Sequence, residues 1–141
     1  MSVQELSFEL DKAIRGGSYD VIICNVANPD MVGHTGSLKA AIAAVEAVDT
    51  CLSTVFKAIQ SVKGELLITA DHGNVEQMTD IESGQNHTAH TTNPVPFVYY
   101  GRQAQAISGG ALKDIAPTVL YLLDITPPSE MTGHPLLKLE E

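Results

Sequence analysis

The sequence lacks any long hydrophobic run. Its longest apolar stretches, residues 21–24 and 95–100, are the size of strands, whereas a transmembrane helix needs about 20 consecutive apolar residues. Residues 1–16 also lack the apolar core of a secretion signal, because Glu5, Glu9 and Asp11 fall within them. We therefore expect no membrane partner and a cytoplasmic location.

Positive charge and cysteine are scarce. The 141 residues carry 8 Lys and Arg against 17 Asp and Glu, a formal net charge of -9, which repels polyanions and argues against nucleic acid as a partner. Arg15 and Arg102 are the two arginines that can make bidentate phosphate contacts. Cys24, in a predicted strand, and Cys51, in a predicted helix, favour buried reduced thiols over a disulfide.

The composition is typical of one globular domain over residues 1–141. Hydrophobic residues make up 44% of the chain and charged residues 18%, and we see no repeat or linker that divides it. A capping pattern at Ser2 predicts a helix up to Ile14, with a stop at the glycine pair 16–17.

Two continuously apolar segments, 21–24 and 66–70, are typical of strands covered on both faces in a parallel sheet. A long helix predicted between them, from Ser37 to about Lys63, completes a right-handed βαβ unit. Asp49 falls on the apolar stripe of that helix, so we expect it to be buried with a structural hydrogen bond. The predicted buried stripe consists of Leu38, Ile42, Val45, Leu52, Phe56 and Ile59.

The rest of the chain is predicted as a strand at 95–100, a helix at 114–123 with Asp114 as its cap, loops at 25–36 and 71–93, and an irregular end. The fold class is therefore α/β with a mostly parallel sheet. The loop at 71–93 has about 23 residues, and a polar loop of that length in a compact domain is usually functional.

Acidic and imidazole side chains are concentrated in the two loops that follow predicted strands. Ligands in open α/β sheets gather at this edge, and imidazole nitrogen with carboxylate oxygen suits manganese, zinc or cobalt. We therefore predict a metal site. The residues concerned are Asp30 and His34 in the first loop, and Asp71, His72, His87 and His90 in the second.

Each of these residues also has an ordinary structural explanation. Asp30 and Asp71 are typical turn formers, and His87 and His90 fit exposed loop histidines without a role. These explanations would have to hold independently in both loops, so the metal interpretation is favoured. Lys39 and His134 are assigned to the solvated surface.

Three longer motifs closely resemble the cofactor-independent phosphoglycerate mutases. They are NPDMVGHTG at 28–36, TADHGN at 69–74 and HTAHTTNPVP at 87–96. Residues 114–118 and 130–133 resemble that family's carboxy-terminal signature. The resemblance covers almost the whole chain and implies a three-layer, alkaline-phosphatase-like α/β fold, incomplete in this chain.

The resemblance also implies a ligand set and a reaction. Asp30, His34 and His90 correspond to ligands of one metal ion, Asp71 and His72 correspond to ligands of a second, and His87 is the weaker candidate. The family interconverts 3-phosphoglycerate and 2-phosphoglycerate through a phosphoserine, using two divalent ions and no organic cofactor. Mn²⁺ is the expected ion, with Mg²⁺, Co²⁺ and Zn²⁺ as alternatives, and the parent protein is expected to be a monomer.

The sequence also departs from that family. The family's nucleophilic serine and the remaining ligands of the second metal lie in an amino-terminal segment that these residues do not match, and its substrate-binding arginines lie in an inserted domain. We therefore expect a fragment that is inactive alone. Two alternatives stay open: another metal-dependent hydrolase or phosphotransferase of the alkaline phosphatase superfamily, against which the loop at 28–36 argues, and a non-catalytic metal-binding module.

Overall fold

The structure is a computed structural model that describes residues 2–140. It comprises two compact units, which divide between Tyr100 and Gly101, and each is described by itself. The expectation of a single domain over 1–141 stays a prediction. No helix within residues 2–140 combines the length and the apolar character needed to cross a bilayer.

The first helix, α1 (Val3–Gly16), begins and ends where the local sequence predicts. The Ser2 hydroxyl accepts a hydrogen bond from the Glu5 amide at 3.3 Å, which satisfies one of the unpaired donors of the first turn. The helix ends at Gly17, whose φ of 61° is left-handed and suits a residue without a Cβ.

The long helix, α3 (Leu38–Val62), also has its predicted ends, but it buries a different face. The Ser37 hydroxyl accepts from the Ala40 amide at its start, and Lys63 takes the left-handed cap position at its end. The buried residues are Ala41, Cys51, Val55 and Ala58.

The predicted buried stripe of α3 is wrong over most of its length, because the helix has two apolar faces and α1 packs on the other one. Leu38 is 58% exposed and Ile42 is 51% exposed, whereas Cys51 and Val55 form a core with Val3 of α1. The core is completed by Leu10, Ile14, Val26, Ile59 and Leu66 packed against it.

Asp49 shares the exposed stripe of α3, and it is exposed rather than buried. The prediction that it needs a structural partner is therefore wrong. Lys39 and His134 are exposed, as predicted.

The predicted first strand is not a strand. Residues 21–24 have no assigned secondary structure and are exposed, because no strand within residues 2–140 pairs with them. Cys24 is accordingly exposed, which corrects its predicted burial, while Cys51 is buried and both thiols are free. Partial burial, and to a smaller extent Cys51, raise the pKa of the Cys24 thiol.

The first unit contains one ladder, in which β1 (Leu66–Thr69) pairs antiparallel with β2 (Phe97–Tyr100). The register sets Leu66 opposite Tyr100 and Thr69 opposite Phe97. Both strands lie within their predicted ranges, but the parallel βαβ pairing of 21–24 with 66–70 is not formed. A parallel sheet needs a hydrogen-bonded neighbour on the other edge of β1, and 21–24 does not supply it.

The second unit is more regular than predicted. Strand β3 (Ala104–Ala106) pairs antiparallel with β4 (Leu137–Leu139), so the expectation of an irregular end is wrong. A 3₁₀ turn (Leu112–Asp114) leads into α4 (Ile115–Leu122), close to the predicted helix at 114–123.

Asp114 stands at the start of α4, but its side chain makes no capping hydrogen bond to that helix. Its carboxylate binds backbone amides outside α4 instead. It accepts the amide of His134 at 2.8 Å and that of Ala111 at 2.7 Å, and these bonds lower the pKa of Asp114. The fully buried Thr118 donates its hydroxyl to the Asp114 carbonyl at 2.7 Å and accepts the Leu136 amide at 2.9 Å. Asp114 and Thr118 therefore hold the end of the chain to α4.

Candidate metal centre

The first two candidate ligands lie on a short helix that was predicted as loop. Residues Asn28–Gly33 form α2, with Pro29 in its first turn, where the fixed φ of proline favours a helix start. His34 caps its carboxyl end. Residues four apart share a helix face, so Asp30 and His34 point the same way, with Asp30 Oδ1 and His34 Nε2 3.4 Å apart.

The long loop at 71–93 folds back on itself. Isolated antiparallel bridges join Gly73 to Thr91 and Thr79 to Asn86, and the Thr91 amide donates to the Gly73 carbonyl at 2.9 Å. The first bridge brings the neighbouring histidines together, so that the His72 and His90 rings stack with centroids 3.7 Å apart.

Three of the predicted ligands converge. His90 Nε2 lies 3.1 Å from Asp30 Oδ1 and 3.2 Å from His34 Nε2. One ligand atom from each of the three residues lies within 4.8 Å of the others. Their side chains keep one third to one half of their surface exposed, so this cluster opens to solvent.

The hydrogen bond of His34 shows that the cluster suits a cation. Its Nδ1 lies 2.7 Å from the Thr88 carbonyl oxygen, which can only accept, so Nδ1 carries a proton and, in the neutral ring, Nε2 keeps its lone pair. That lone pair faces the Asp30 carboxylate and His90 Nε2. Neutral imidazole nitrogen beside an anionic oxygen is the donor set that a borderline divalent ion takes.

Asp71 and His72 form a separate pair beside the cluster. His72 Nε2 lies 3.6 Å from Asp71 Oδ1, and the Asp71 side chain is 78% exposed. His72 Nδ1 lies 3.3 Å from the Gly73 carbonyl oxygen, which again leaves Nε2 as the nitrogen with the lone pair. His72 Nδ1 is 4.0 Å from Asp30 Oδ1, so the pair is adjacent to the cluster without being part of it.

His87 lies outside the cluster of Asp30, His34 and His90. Its Nε2 is buried and has no hydrogen-bond partner among residues 2–140. It contributes slightly to lowering the pKa of Asp80, which is held down chiefly by the hydroxyl and amide of Ser83.

Asn74 and Glu76 belong to the same site, although neither was predicted as a site residue. The Asn74 side-chain amide donates to Asp30 Oδ1 at 2.7 Å. This hydrogen bond is the main cause of the lowered pKa of Asp30, and partial desolvation opposes it. The Thr91 hydroxyl is the main cause of the lowered pKa of Glu76. Asn74 lies within the motif at 69–74, and Glu76 follows that motif by two residues.

Comparison with known proteins defines the class of the chain. Residues 1–127 match the metalloenzyme superfamily, and the chain belongs to it. Its relatives include the 2,3-bisphosphoglycerate-independent phosphoglycerate mutase of Aeromonas salmonicida, which is 56% identical over 140 residues. The mutase of the same name from Salmonella typhi is 57% identical over 141 residues. The alignments cover 99% of this chain but 28% and 27% of those relatives.

A solved structure agrees with the sequence relatives. The crystal structure of Leishmania mexicana phosphoglycerate mutase at low cobalt concentration matches 99% of this chain and 29% of its own with a TM-score of 0.89 and 32% identity. The predicted resemblance to these mutases and the incomplete alkaline-phosphatase-like α/β fold are thereby confirmed. The chain spans slightly more than a quarter of the length of the relatives it matches.

Proposed function

We propose that this chain is the metal-ligating part of a cofactor-independent phosphoglycerate mutase, an isomerase of glycolysis that interconverts 3-phosphoglycerate and 2-phosphoglycerate. The observation that carries the proposal is the convergence of Asp30, His34 and His90 within 4.8 Å from two segments far apart in the sequence. The identity to curated mutases over almost the whole chain supports the same reaction.

In this proposal Asp30, His34 and His90 hold one divalent ion, and Asp71 with His72 supply two ligands to a second. Mn²⁺ is the expected ion, with Mg²⁺, Co²⁺ or Zn²⁺ as substitutes, since mixed nitrogen and oxygen donors accept all of these to different degrees. The ions would neutralise charge on the phosphoryl group during its transfer.

The protein ligands do not cancel the positive charge of the bound ion. Asp30 contributes one negative charge, and His34 contributes its Nε2, since its Nδ1 donates to the Thr88 carbonyl. A divalent ion bound by one carboxylate and neutral imidazoles keeps a net positive charge, which attracts phosphate oxygens. The exposed side of the cluster leaves room for such a ligand.

The nucleophile belongs elsewhere in this proposal. Within residues 2–140, the groups that hydrogen-bond to Asp30, His34 and His90 include no serine hydroxyl, and we expect the phosphoserine to form on another segment. We expect no mutase activity from the chain alone. Its partner is the small phosphoglycerate, not nucleic acid, and the cytoplasmic location and monomeric parent belong to the same proposal.

The test is a chimaera. This chain replaces the matching segment of the Aeromonas salmonicida mutase, and conversion of 3-phosphoglycerate is measured. We expect activity in the chimaera and its loss with Asp30→Ala, whereas Asp49→Ala, which removes an exposed carboxylate from α3, keeps it. A folded chimaera without activity, or one indifferent to Asp30→Ala, would contradict the proposal.

A further inference from the structure

Asn74 connects two distant parts of the candidate site. It is 6% exposed, and its Nδ2 donates to Asp30 Oδ1 at 2.7 Å, with a second, longer approach of 3.4 Å to the Asp30 carbonyl oxygen. The same carboxylate oxygen faces His34 and His90. Asn74 therefore holds the oxygen atom around which the imidazoles gather.

The other end of the Asn74 side chain shows that this contact has a cost in stability. Its Oδ1 is buried and has no hydrogen-bond partner among residues 2–140, and such an acceptor carries a desolvation cost. Reversing the amide would set this oxygen against the Asp30 carboxylate, so the orientation follows from the contact with Asp30. An apolar side chain would avoid the cost but would leave Asp30 without its donor.

Glu76 joins Asn74 to the segment that carries His90. Its Oε2 accepts a hydrogen bond from the backbone amide of Asn74 at 2.6 Å. Its Oε1 accepts the Thr91 hydroxyl and, at 3.0 Å, the side-chain amide of Asn93. Since Thr91 directly follows His90, one carboxylate fixes the distance between the two arms of the loop.

Two glycines leave room for this network. A Cβ at Gly33 would overlap the Asn74 side chain, and a Cβ at Gly73 would overlap the Thr91 hydroxyl and the Glu76 carboxylate. Neither glycine has a positive φ, so backbone conformation does not require glycine at these positions. Glycine is required there because the side chains of the network approach so closely.

We propose that Asn74 and Glu76 are positioning residues for the metal ligands. Asn74 orients the Asp30 carboxylate. Glu76 holds Asn74 and Thr91 in place, so that His90 lies against the Asp30 carboxylate. This inference rests on the proposed function, since it concerns how the ligands of that site are placed. Groups that orient the ligands of a metal typically contribute 10–100-fold to its affinity, and we expect about that loss when either residue is removed.

The experiment is calorimetric titration of the 141-residue chain with Mn²⁺, together with Co²⁺ absorption spectra and unfolding midpoints. Asn74→Ala and Glu76→Gln are expected to weaken Mn²⁺ binding about 10–100-fold and to change the Co²⁺ spectrum. Glu82→Gln is the matched control, because it removes the same charge from an exposed position in the same loop, and it should bind as the wild type does. Weak binding by variants that keep their unfolding midpoint supports the inference.

Two conservative variants of Thr91 test the inference if the Asn74 and Glu76 variants do not fold. Thr91→Val removes the hydroxyl that Glu76 accepts, and Thr91→Ser retains it, so valine should weaken binding and serine should restore it. If the serine variant binds no better than the valine variant, the inference is overturned.

The outcomes separate this inference from the proposed function. If the wild type binds Mn²⁺ and the folded Asn74 and Glu76 variants bind within about 2-fold of it, well below the expected loss, the positioning role is overturned and the metal site stands. If the wild type binds no Mn²⁺, both fail.

Discussion

The Nε2 atoms of His34 and His90 lie 3.2 Å apart, although 56 residues separate the two histidines in the chain. Neither ring is held there by a helix or strand that they share. His34 caps α2, and His90 lies in the loop at 71–93, which two isolated bridges fold back. Two imidazole nitrogens that face one carboxylate from separate segments are placed for a common cation.

The affinity of this cluster for Mn²⁺ should fall as the pH falls. Imidazole binds a metal only in its neutral form, so protons compete with the ion on His34 and His90. We expect weaker binding in acid than near neutral pH. Calorimetric titration at several pH values measures the affinity, and an affinity that is independent of pH would contradict histidine ligation.

Gly33→Ala and Gly16→Ala should have opposite effects on the free energy of unfolding. A Cβ at Gly33 would overlap Asn74, which we expect to destabilise the protein by about 1–3 kcal/mol. Gly16 is also helical but has nothing within 4 Å, so alanine there should stabilise by about 0.5–1 kcal/mol. Urea unfolding measures both, and equal signs would show that the contact at Gly33 is easily relieved.

Thr118→Val should destabilise the second unit without changing the size of the side chain. The substitution removes the hydroxyl that the buried Leu136 amide donates to, and an unpaired buried donor costs about 1–3 kcal/mol. Thr50→Val is the control, since the Thr50 hydroxyl lies on an exposed face of α3 and donates to the Glu46 carbonyl. Its effect should stay within about 0.5 kcal/mol, and a similar loss in both variants would argue against a special role of Thr118.

Asp114 should make the protein sensitive to acid. The His134 and Ala111 amides hold the pKa of Asp114 in the folded state below its ordinary value. The stabilisation that follows is therefore complete above that value and is lost as the pH falls through the lower folded value. Asp114→Asn should be less stable than the wild type near neutral pH, with a difference that narrows below pH about 4. A difference in unfolding free energy that is constant between pH 6 and pH 3 would contradict this.

Local signals predicted the helices well. The hydroxyls of Ser2 and Ser37 cap α1 and α3, and the helices end at Gly17 and Lys63, because capping depends on atoms within one turn of the chain. The short helix α2 was missed, although Pro29 at its start was a visible signal. Its backbone is helical for little more than one turn, too short for a periodic apolar pattern.

Non-local contacts were predicted less well. Within residues 2–140 no strand pairs with the apolar segment 21–24, which is exposed, and the apolar stripe with Leu38 and Ile42 faces solvent. Both have the composition of buried elements. Burial depends on which partner packs against a face, and the pattern along one segment does not contain that information.

The sequence by itself determined the chemistry available to this protein: its helix ends, its free thiols, and the aspartates and histidines that follow its predicted strands. Only the tertiary structure decided which of these meet, because the folded loop at 71–93 brings His90 beside His72 and sets both against Asp30 on α2. It also decided the roles of Asn74 and Glu76, whose hydrogen bonds join residues up to 44 positions apart. Such bonds depend on distances in space, which spacing along the chain does not specify.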